Sequence, residues 1–258
     1  MADFQYAQAR GGVAAGDVAK DAGLRKFMLG VYNKLMLGIL LAGVLAYVAG
    51  TVEPVTQLVF GTPLYLVVQW GPVVLLMGSM FFMKNPSPLA TGILYWAIVT
   101  MLGLGLGIWV MMAEGAISGG ATRGGIQFVN TTYTTIAKAF LITASAFGAL
   151  SLWGYTTKRN LGGIGNFAVM ALWGVVALSL LNFILPPSST FEWIIMAAVF
   201  GLSAILIAVE TQQLKEGYYA LAGDARSLAV MTNWGALNFF ISFVNMFRIV
   251  LMFLSSRD

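Results

Sequence analysis

Four polar side chains interrupt an apolar stretch of the chain, GALNFFISFVNMFRIV (residues 235–250). They are Asn238, Ser242, Asn245 and Arg248, which follow one another at spacings of four, three and three residues. On an α-helix these spacings place side chains along one stripe. We predict that this stripe, the polar seam, faces the interior of the protein and lines a polar crevice. The alternative is that its members only bond neighbouring helices, at about 0.6–2 kcal/mol each in a membrane.

One acidic residue, Glu210, closes another apolar stretch, residues 193–209, and is followed by Thr211, Gln212 and Gln213. A carboxylate inside a bilayer costs roughly 2–4 kcal/mol on insertion scales, so it usually faces a polar cavity or a partner. Glu210 is therefore a candidate for binding a cation or a proton. The alternative is an interfacial helix end exposed to the headgroups, and the depth of the carboxylate decides between the two.

The residue types that are missing exclude several kinds of chemistry. The chain has no His and no Cys, which excludes thiolate and imidazole metal sites, haem ligation by His and Ser–His catalysis. No nucleophile–base pair or metal-ligand cluster stands out, so we predict that the protein is not an enzyme and needs no cofactor. A net charge of +4 is too small and too scattered for nucleic-acid binding.

The elements that position these residues must lie in a lipid bilayer. The chain is 59% hydrophobic and 9% charged, against roughly 25% charged in soluble domains. A membrane span needs about 20 mostly apolar residues. Seven segments qualify, and we predict an all-α membrane protein with seven transmembrane helices at residues 31–49, 64–82, 89–112, 134–153, 167–185, 193–209 and 228–254. Gly103 and Gly107 lie in the third segment at a spacing typical of close helix packing.

The basic residues predict the orientation of these helices. With a cytoplasmic N-terminus, nine Lys and Arg residues fall on inner segments and two, Arg123 and Arg257, on outer ones. Such a bias marks the cytoplasmic side. Lys34, Lys138 and Arg248 lie inside predicted spans near their ends, where long side chains can reach the interface. Seven spans then place the C-terminus outside.

Residues 1–29 differ from the remaining membrane domain, residues 30–258. They are rich in Gly, Ala and polar residues and have no apolar core, so we expect a cytoplasmic arm and no signal peptide. Such a segment cannot build a core of its own. We expect residues 1–24 to be ordered only against another surface, either this protein's own loops or a partner subunit.

Three stretches together resemble the Bax inhibitor-1 family, in its bacterial inner-membrane branch. SLWGYTTKRNLGGIGNF (residues 151–167) is similar to the link between the family's fourth and fifth helices. AVETQQLKE (208–216) is similar to the end of the sixth helix, and ALNFFISFVNMF (236–247) to the seventh. The resemblance implies a seven-helix bundle that handles cations. It also implies pH-sensitive calcium leak, in which acids on the sixth and seventh helices share a proton, and in some members regulation of membrane proteases or stress responses.

The chain departs from the family pattern at one of these two acids. The sixth-helix acid corresponds to Glu210, but the position usually occupied by Asp on the seventh helix is Ser242. A hydroxyl has no charge to share, and one carboxylate is a poor calcium site because Ca²⁺ takes 6–8 oxygen ligands. Two functions remain: a calcium or proton leak or transport protein with an altered acidic pair, and a non-conducting interaction protein. The second would regulate a membrane protease or serve as an accessory subunit of a larger membrane complex.

Overall fold

The described residues fold mainly into α-helices. The computed structural model describes residues 2–115, 122–123, 126–127, 131–184, 189–221 and 223–255, with side chains for 22–115, 131–175, 177–178, 193–221 and 223–255. These residues form the helices α1 (Ala2–Thr51), α2 (Glu53–Phe60), α3 (Leu64–Phe82), α4 (Pro88–Ala113), α5 (Tyr133–Thr156), α6 (Gly162–Ile184), α7 (Ser189–Ala220) and α8 (Ala225–Ser255). Between α4 and α5, β1 (Thr122–Arg123) and β2 (Ile126–Gln127) form a two-residue antiparallel hairpin.

Short polar residues start several of these helices. Ser87 precedes α4, and its hydroxyl accepts a hydrogen bond from the Ala90 N–H at 3.1 Å. Thr132 does the same for α5, where the Thr135 N–H lies 3.2 Å from its hydroxyl. These side chains satisfy backbone donors that the first helical turn leaves without partners.

The predicted all-helical membrane fold is confirmed. Within the described residues six helices are long and apolar enough to cross a membrane: α1 from Ala22 onward, α3, α4, α5, α7 from Trp193 onward, and α8. The described apolar part of α6, Gly162–Val175, is shorter. All seven predicted segments fall on α1 and α3 to α8, so the difference from the predicted count of seven lies in α6 alone.

Three helix boundaries correct the sequence prediction. The connection after the first span contains the short helix α2, because Pro54 fits the first turn of a helix, where its missing N–H is not needed. The helix of Glu210 does not end there but continues to Ala220, because hydropathy marks only the apolar part of a helix. The segment predicted as an arm is continuous with the first span in α1. We predicted that residues 1–24 lie against another surface. Most of their side chains are outside the described ones, so this prediction falls outside the described part of the chain.

The last helix, α8, lies at the centre of the bundle. It packs against α1, α4, α5 and α7, while α3 packs on α4 and α6 packs on α7. Of the six spans α8 is the most buried and α3 the least. The side chains of Phe239, Phe240 and Met246 on α8 are fully buried in the core. The polar residues of α8 are therefore held between helices on several sides.

Glycines allow the closest helix contacts. A Cβ added at Gly103 would lie 2.7 Å from the Ala42 Cα, and one at Gly107 would lie 2.8 Å from the Ala49 Cβ. Real Cβ atoms do not approach so closely, so the α1–α4 interface needs glycine at both positions. The predicted packing role of Gly103 and Gly107 is confirmed.

The connections define two ends of the bundle. The basic end carries residues 83–87, 157–161 and 221–224, which join α3 to α4, α5 to α6 and α7 to α8, and it includes Lys84, Lys158 and Arg159. The opposite end carries the α4–α5 connection, which begins at Glu114, and the C-terminal end of α8. This division matches the distribution of basic residues in the sequence.

Candidate functional site

Glu210 lies between α7 and α8, where its side chain is half-buried. It is ten residues from the end of α7 at Ala220, which at 1.5 Å per residue is about 15 Å along the helix. Its carboxylate opens on a cleft of about 200 Å³ lined by Glu210, Gln213, Leu214, Met231, Trp234, Gly235, Asn238 and Phe239. The carboxylate is thus inside the bundle and beside a cleft.

Ser242 on α8 is the direct partner of Glu210. Its hydroxyl lies 3.1 Å and 3.3 Å from the two carboxylate oxygens and donates to them. Among the described residues no Lys or Arg forms an ion pair with Glu210. A carboxylate with one hydroxyl donor and no basic partner keeps most of its capacity to bind a proton or a cation.

The structure divides the polar seam. Asn238 and Asn245 are both exposed, and of the two it is Asn238 that lines the Glu210 cleft. Arg248 lines a different cavity, beside α3 and α4. The predicted single lining is therefore wrong for Arg248, because six residues of an α-helix turn its side chain about 120° away from that of Ser242.

The Glu210 cleft adjoins a larger one at the basic end. That cleft, of about 630 Å³, is lined by Asn85, Pro86, Leu221, Asp224, Arg226, Ser227, Val230, Met231 and Trp234. Met231 and Trp234 line both clefts, so the two clefts adjoin at these side chains. At the mouth Ser227 donates to Asp224, and this hydrogen bond holds the pKa of Asp224 below its ordinary value. The mouth therefore carries an ionised Asp224 beside the positive charge of Arg226 at neutral pH.

On the other side of Ser242 the interior is apolar. Phe243, Val244, Met246 and Phe247 follow it on α8, and all four side chains are buried. The polar surface that begins at the basic end thus stops near Ser242 in this conformation. Within the described residues no group of three or more acidic, His or Cys side chains could hold a metal ion.

The two residues after Glu210 fix α7 to its neighbours. The Thr211 hydroxyl lies 3.0 Å from that of Ser151 on α5, which also bonds the Tyr32 hydroxyl on α1. The Gln212 amide oxygen accepts from the Leu161 N–H at 2.7 Å, and its nitrogen donates to the Arg159 carbonyl at 2.8 Å. These contacts join two of the three stretches on which the family resemblance rests, residues 151–167 and 208–216. Sequence reasoning placed Thr211 and Gln212 behind Glu210 but did not assign them partners.

A second polar cluster, missed from the sequence, joins α1, α4 and α8 near the basic end. Lys34 donates to the side-chain oxygen of Asn233, whose amide nitrogen donates to Thr91 Oγ1 and to the Pro88 carbonyl, each at 2.8 Å. The Tyr95 hydroxyl donates to the Lys34 carbonyl at 2.6 Å. The half-buried Lys34 is thus tied to α8 near the basic end. The sequence signal that could have revealed this cluster is the presence of polar residues at similar depths in three apolar spans, namely Lys34, Thr91 and Asn233.

Comparison with known proteins gives a consistent family assignment. Residues 24–258 match the family described as inhibitor of apoptosis-promoting Bax1. An uncharacterized protein of Caulobacter vibrioides is 40% identical over 263 residues, which cover 98% of each chain. The inner membrane protein YbhL of Escherichia coli K12 is 33% identical over 237 residues, 92% of this chain and 94% of its own. An uncharacterized protein of Rickettsia prowazekii is 31% identical over 240 residues, 92% of each chain.

Proposed function

The chain belongs to the Bax inhibitor-1 family, and from this premise we propose that it moves cations across the bacterial inner membrane, with Glu210 as the ion-binding group. The observation that carries the proposal is the Glu210 carboxylate, which lies between two helices with Ser242 as its hydrogen-bond donor and, among the residues that the structure describes, without a basic partner. A carboxylate kept in this setting is costly and usually functional. The same residues offer no catalytic arrangement, so we also propose that the protein is not an enzyme.

The chemistry of the cleft favours protons or weakly bound calcium. Glu210 supplies two oxygens, and Ser242, Asn238 and Gln213 add neutral ones nearby. Tight calcium sites use 6–8 oxygens, several of them from carboxylates. A single carboxylate instead suits transient binding of a cation, or exchange of a proton with the solution at the basic end.

The proposed topology has seven crossings and a cytoplasmic N-terminus. The start of α6 lies beside α7 next to Glu210, where Gly165 faces Val209, and α6 runs for 23 residues to Ile184. At 1.5 Å per residue α6 is about 34 Å long, enough for a hydrocarbon core of about 30 Å. Together with a cytoplasmic N-terminus, seven crossings place the basic end, with Lys84, Lys158 and Arg159, in the cytoplasm.

Ion flux through purified protein in liposomes tests the proposal. We expect Glu210→Gln to abolish most of the calcium and proton flux, because the amide removes the charge and keeps the shape. Glu216→Gln is a matched control, since Glu216 is an exposed acid on the same helix. The proposal fails if wild-type protein gives no flux above empty liposomes, or if Glu210→Gln conducts as well as Glu216→Gln.

A non-conducting interaction protein is the second candidate, and one surface favours it. A mostly apolar cleft of about 520 Å³ separates α1 from α5 and is floored by α4 and α8, with Gly43, Ala137, Phe140 and Phe243 in its lining. A Cβ added at Gly43 would meet nothing within 4 Å. Gly43→Leu should therefore fill the cleft without unfolding the protein. Gly148→Leu on α5 is the matched control, since an added Cβ at Gly148 also meets nothing within 4 Å and Gly148 is not part of this lining. A membrane protease or complex subunit that copurifies with wild-type protein and with Gly148→Leu, but not with Gly43→Leu, would support this function.

A further inference from the structure

Arg248 occupies an unusual position for a charged residue. It lies on α8 seven residues before Ser255, about 10 Å from the opposite end of the bundle along the helix. Its half-buried side chain lines a cavity of about 60 Å³ between α3, α4 and α8. A guanidinium is always charged in proteins. Charged groups at such positions normally pair with an acid or a carbonyl.

The described part of the chain supplies no such partner to Arg248. Among the residues whose side chains are described, no acid forms an ion pair with it and no oxygen accepts a hydrogen bond from it. Glu210, the acid of α7, lies in a different cleft. An isolated charge held in a low dielectric is strongly unfavourable, so the site favours an external counter-charge.

The other polar residues of the cavity suit the same ligand. Tyr65 and Gln69 line it from α3, one helical turn apart, and face the space that Arg248 lines. A tyrosine hydroxyl and an amide nitrogen are hydrogen-bond donors, and the guanidinium has five N–H groups. The remaining lining, which includes Met101, Trp109 and Val244, contributes no negative charge. The cavity therefore combines a fixed positive charge with neutral donors.

We propose that this cavity binds a small inorganic anion, of the chloride or bromide type, between Arg248 and the α3 residues Tyr65 and Gln69. Its volume of about 60 Å³ compares with roughly 10–15 Å³ for one water on the same measure. It is thus large enough for a monatomic anion and too small for a lipid headgroup. Tyr65 is the second residue of α3, so the anion enters from the solution at the opposite end. This inference is independent of the proposed ion flux.

Thermal unfolding of the purified protein tests the anion site. Chloride replaces gluconate at constant sodium concentration, and Tm is followed as a function of chloride. A ligand that binds only the folded state raises Tm along a saturation curve. We expect that curve for wild-type protein and for Arg226→Gln, an exposed arginine at the basic end, and its loss in Arg248→Gln. The proposal is overturned if wild-type Tm is the same in chloride and gluconate, or if Arg248→Gln keeps the full response.

Bromide gives a second readout that does not depend on the folding of Arg248→Gln. Bromide quenches a nearby tryptophan, and Trp109 lines the cavity. We expect saturable quenching of tryptophan fluorescence in wild-type protein. Trp109→Phe should remove this saturable quenching, and Gln69→Leu should lower the apparent affinity for bromide at least several-fold. Quenching that rises linearly with bromide and is equal in all three proteins is collisional, and it would overturn the site.

Discussion

At the scale of single residues, Ser242 decides how Glu210 responds to protons. Its hydroxyl lies within hydrogen-bond distance of both carboxylate oxygens, at the place where the family resemblance implies an aspartate. Two carboxylates so close cannot both ionise easily and share one proton. One carboxylate with a hydroxyl titrates as a single group. The altered pair should therefore give a shallow dependence of flux on pH.

Ser242→Asp should restore a steep dependence. We expect calcium flux into liposomes to be weak in wild-type protein and to change more sharply with pH in Ser242→Asp. The reason is that loss of the proton shared by the new pair leaves two like charges side by side, and their repulsion drives the two helices apart. Ser242→Asn is the control, because asparagine has nearly the size of aspartate without its charge. Its flux should keep the shallow dependence on pH. A wild-type protein that already gates steeply near neutral pH would show that another group supplies the second proton site.

Gln212 illustrates a stabilising residue of the same region. It is buried, and its amide bonds the Leu161 N–H and the Arg159 carbonyl. Gln212→Ala leaves these backbone groups without their partners, at about 1–3 kcal/mol. We expect a lower Tm in detergent for Gln212→Ala and little change for Gln213→Ala, its exposed neighbour. Equal losses in the two variants would contradict the role of these hydrogen bonds.

The sequence predicted the central pair of this site and not its surroundings. Glu210 and the stripe containing Ser242 were visible because polar residues are rare in apolar spans. The position of Arg248 was missed, because an α-helix turns by about 120° between residues 242 and 248 and the spacing of the stripe hides this rotation. The partners of Gln212 were also beyond the sequence, because Arg159 and Leu161 are some fifty residues away and contact it through backbone atoms.

At the scale of helices, glycines set the distance between α1 and α4. Gly→Ala normally stabilises a helix by about 1 kcal/mol. At Gly103 the new methyl would overlap the backbone of Ala42, whereas at Gly105 its nearest neighbour is Val68 at an ordinary 3.5 Å. We therefore expect Gly103→Ala to lower Tm, by overpacking worth about 1–3 kcal/mol, and Gly105→Ala to preserve or raise it. The packing argument fails if the two alanines have the same effect.

Helix positions were predicted better than helix ends. Each predicted span lies on a helix because twenty apolar residues in a membrane protein have few alternatives to helix. α2 was missed because an eight-residue helix has no span-length signal. The extension of α7 to Ala220 was missed because LKEGYYA reads as a polar connection. That extension matters, since it places Glu210 inside a helix and not at its end.

At the scale of the whole molecule, the absence of cysteine makes the topology directly testable. Single cysteines can be introduced into the native chain without further changes. With seven crossings and a cytoplasmic N-terminus, Lys84→Cys and Asn160→Cys should react with an impermeant maleimide only from the cytoplasmic side. Thr62→Cys and Pro187→Cys should react only from outside. Labelling of positions 160 and 187 from the same side would show that α6 does not cross.

The central position of α8 has a consequence for how the protein is made. Ribosomes synthesise α8 after every helix that it contacts, and domains generally organise from the N-terminus as the chain emerges. Until α8 enters the bilayer, Lys34 lacks Asn233 and Glu210 lacks Ser242. The earlier helices must therefore wait in the membrane with unpaired polar groups and an unfilled centre. An incomplete chain that stops before α8 carries the kind of exposed intramembrane charge by which quality-control proteases can distinguish unfinished proteins from finished ones.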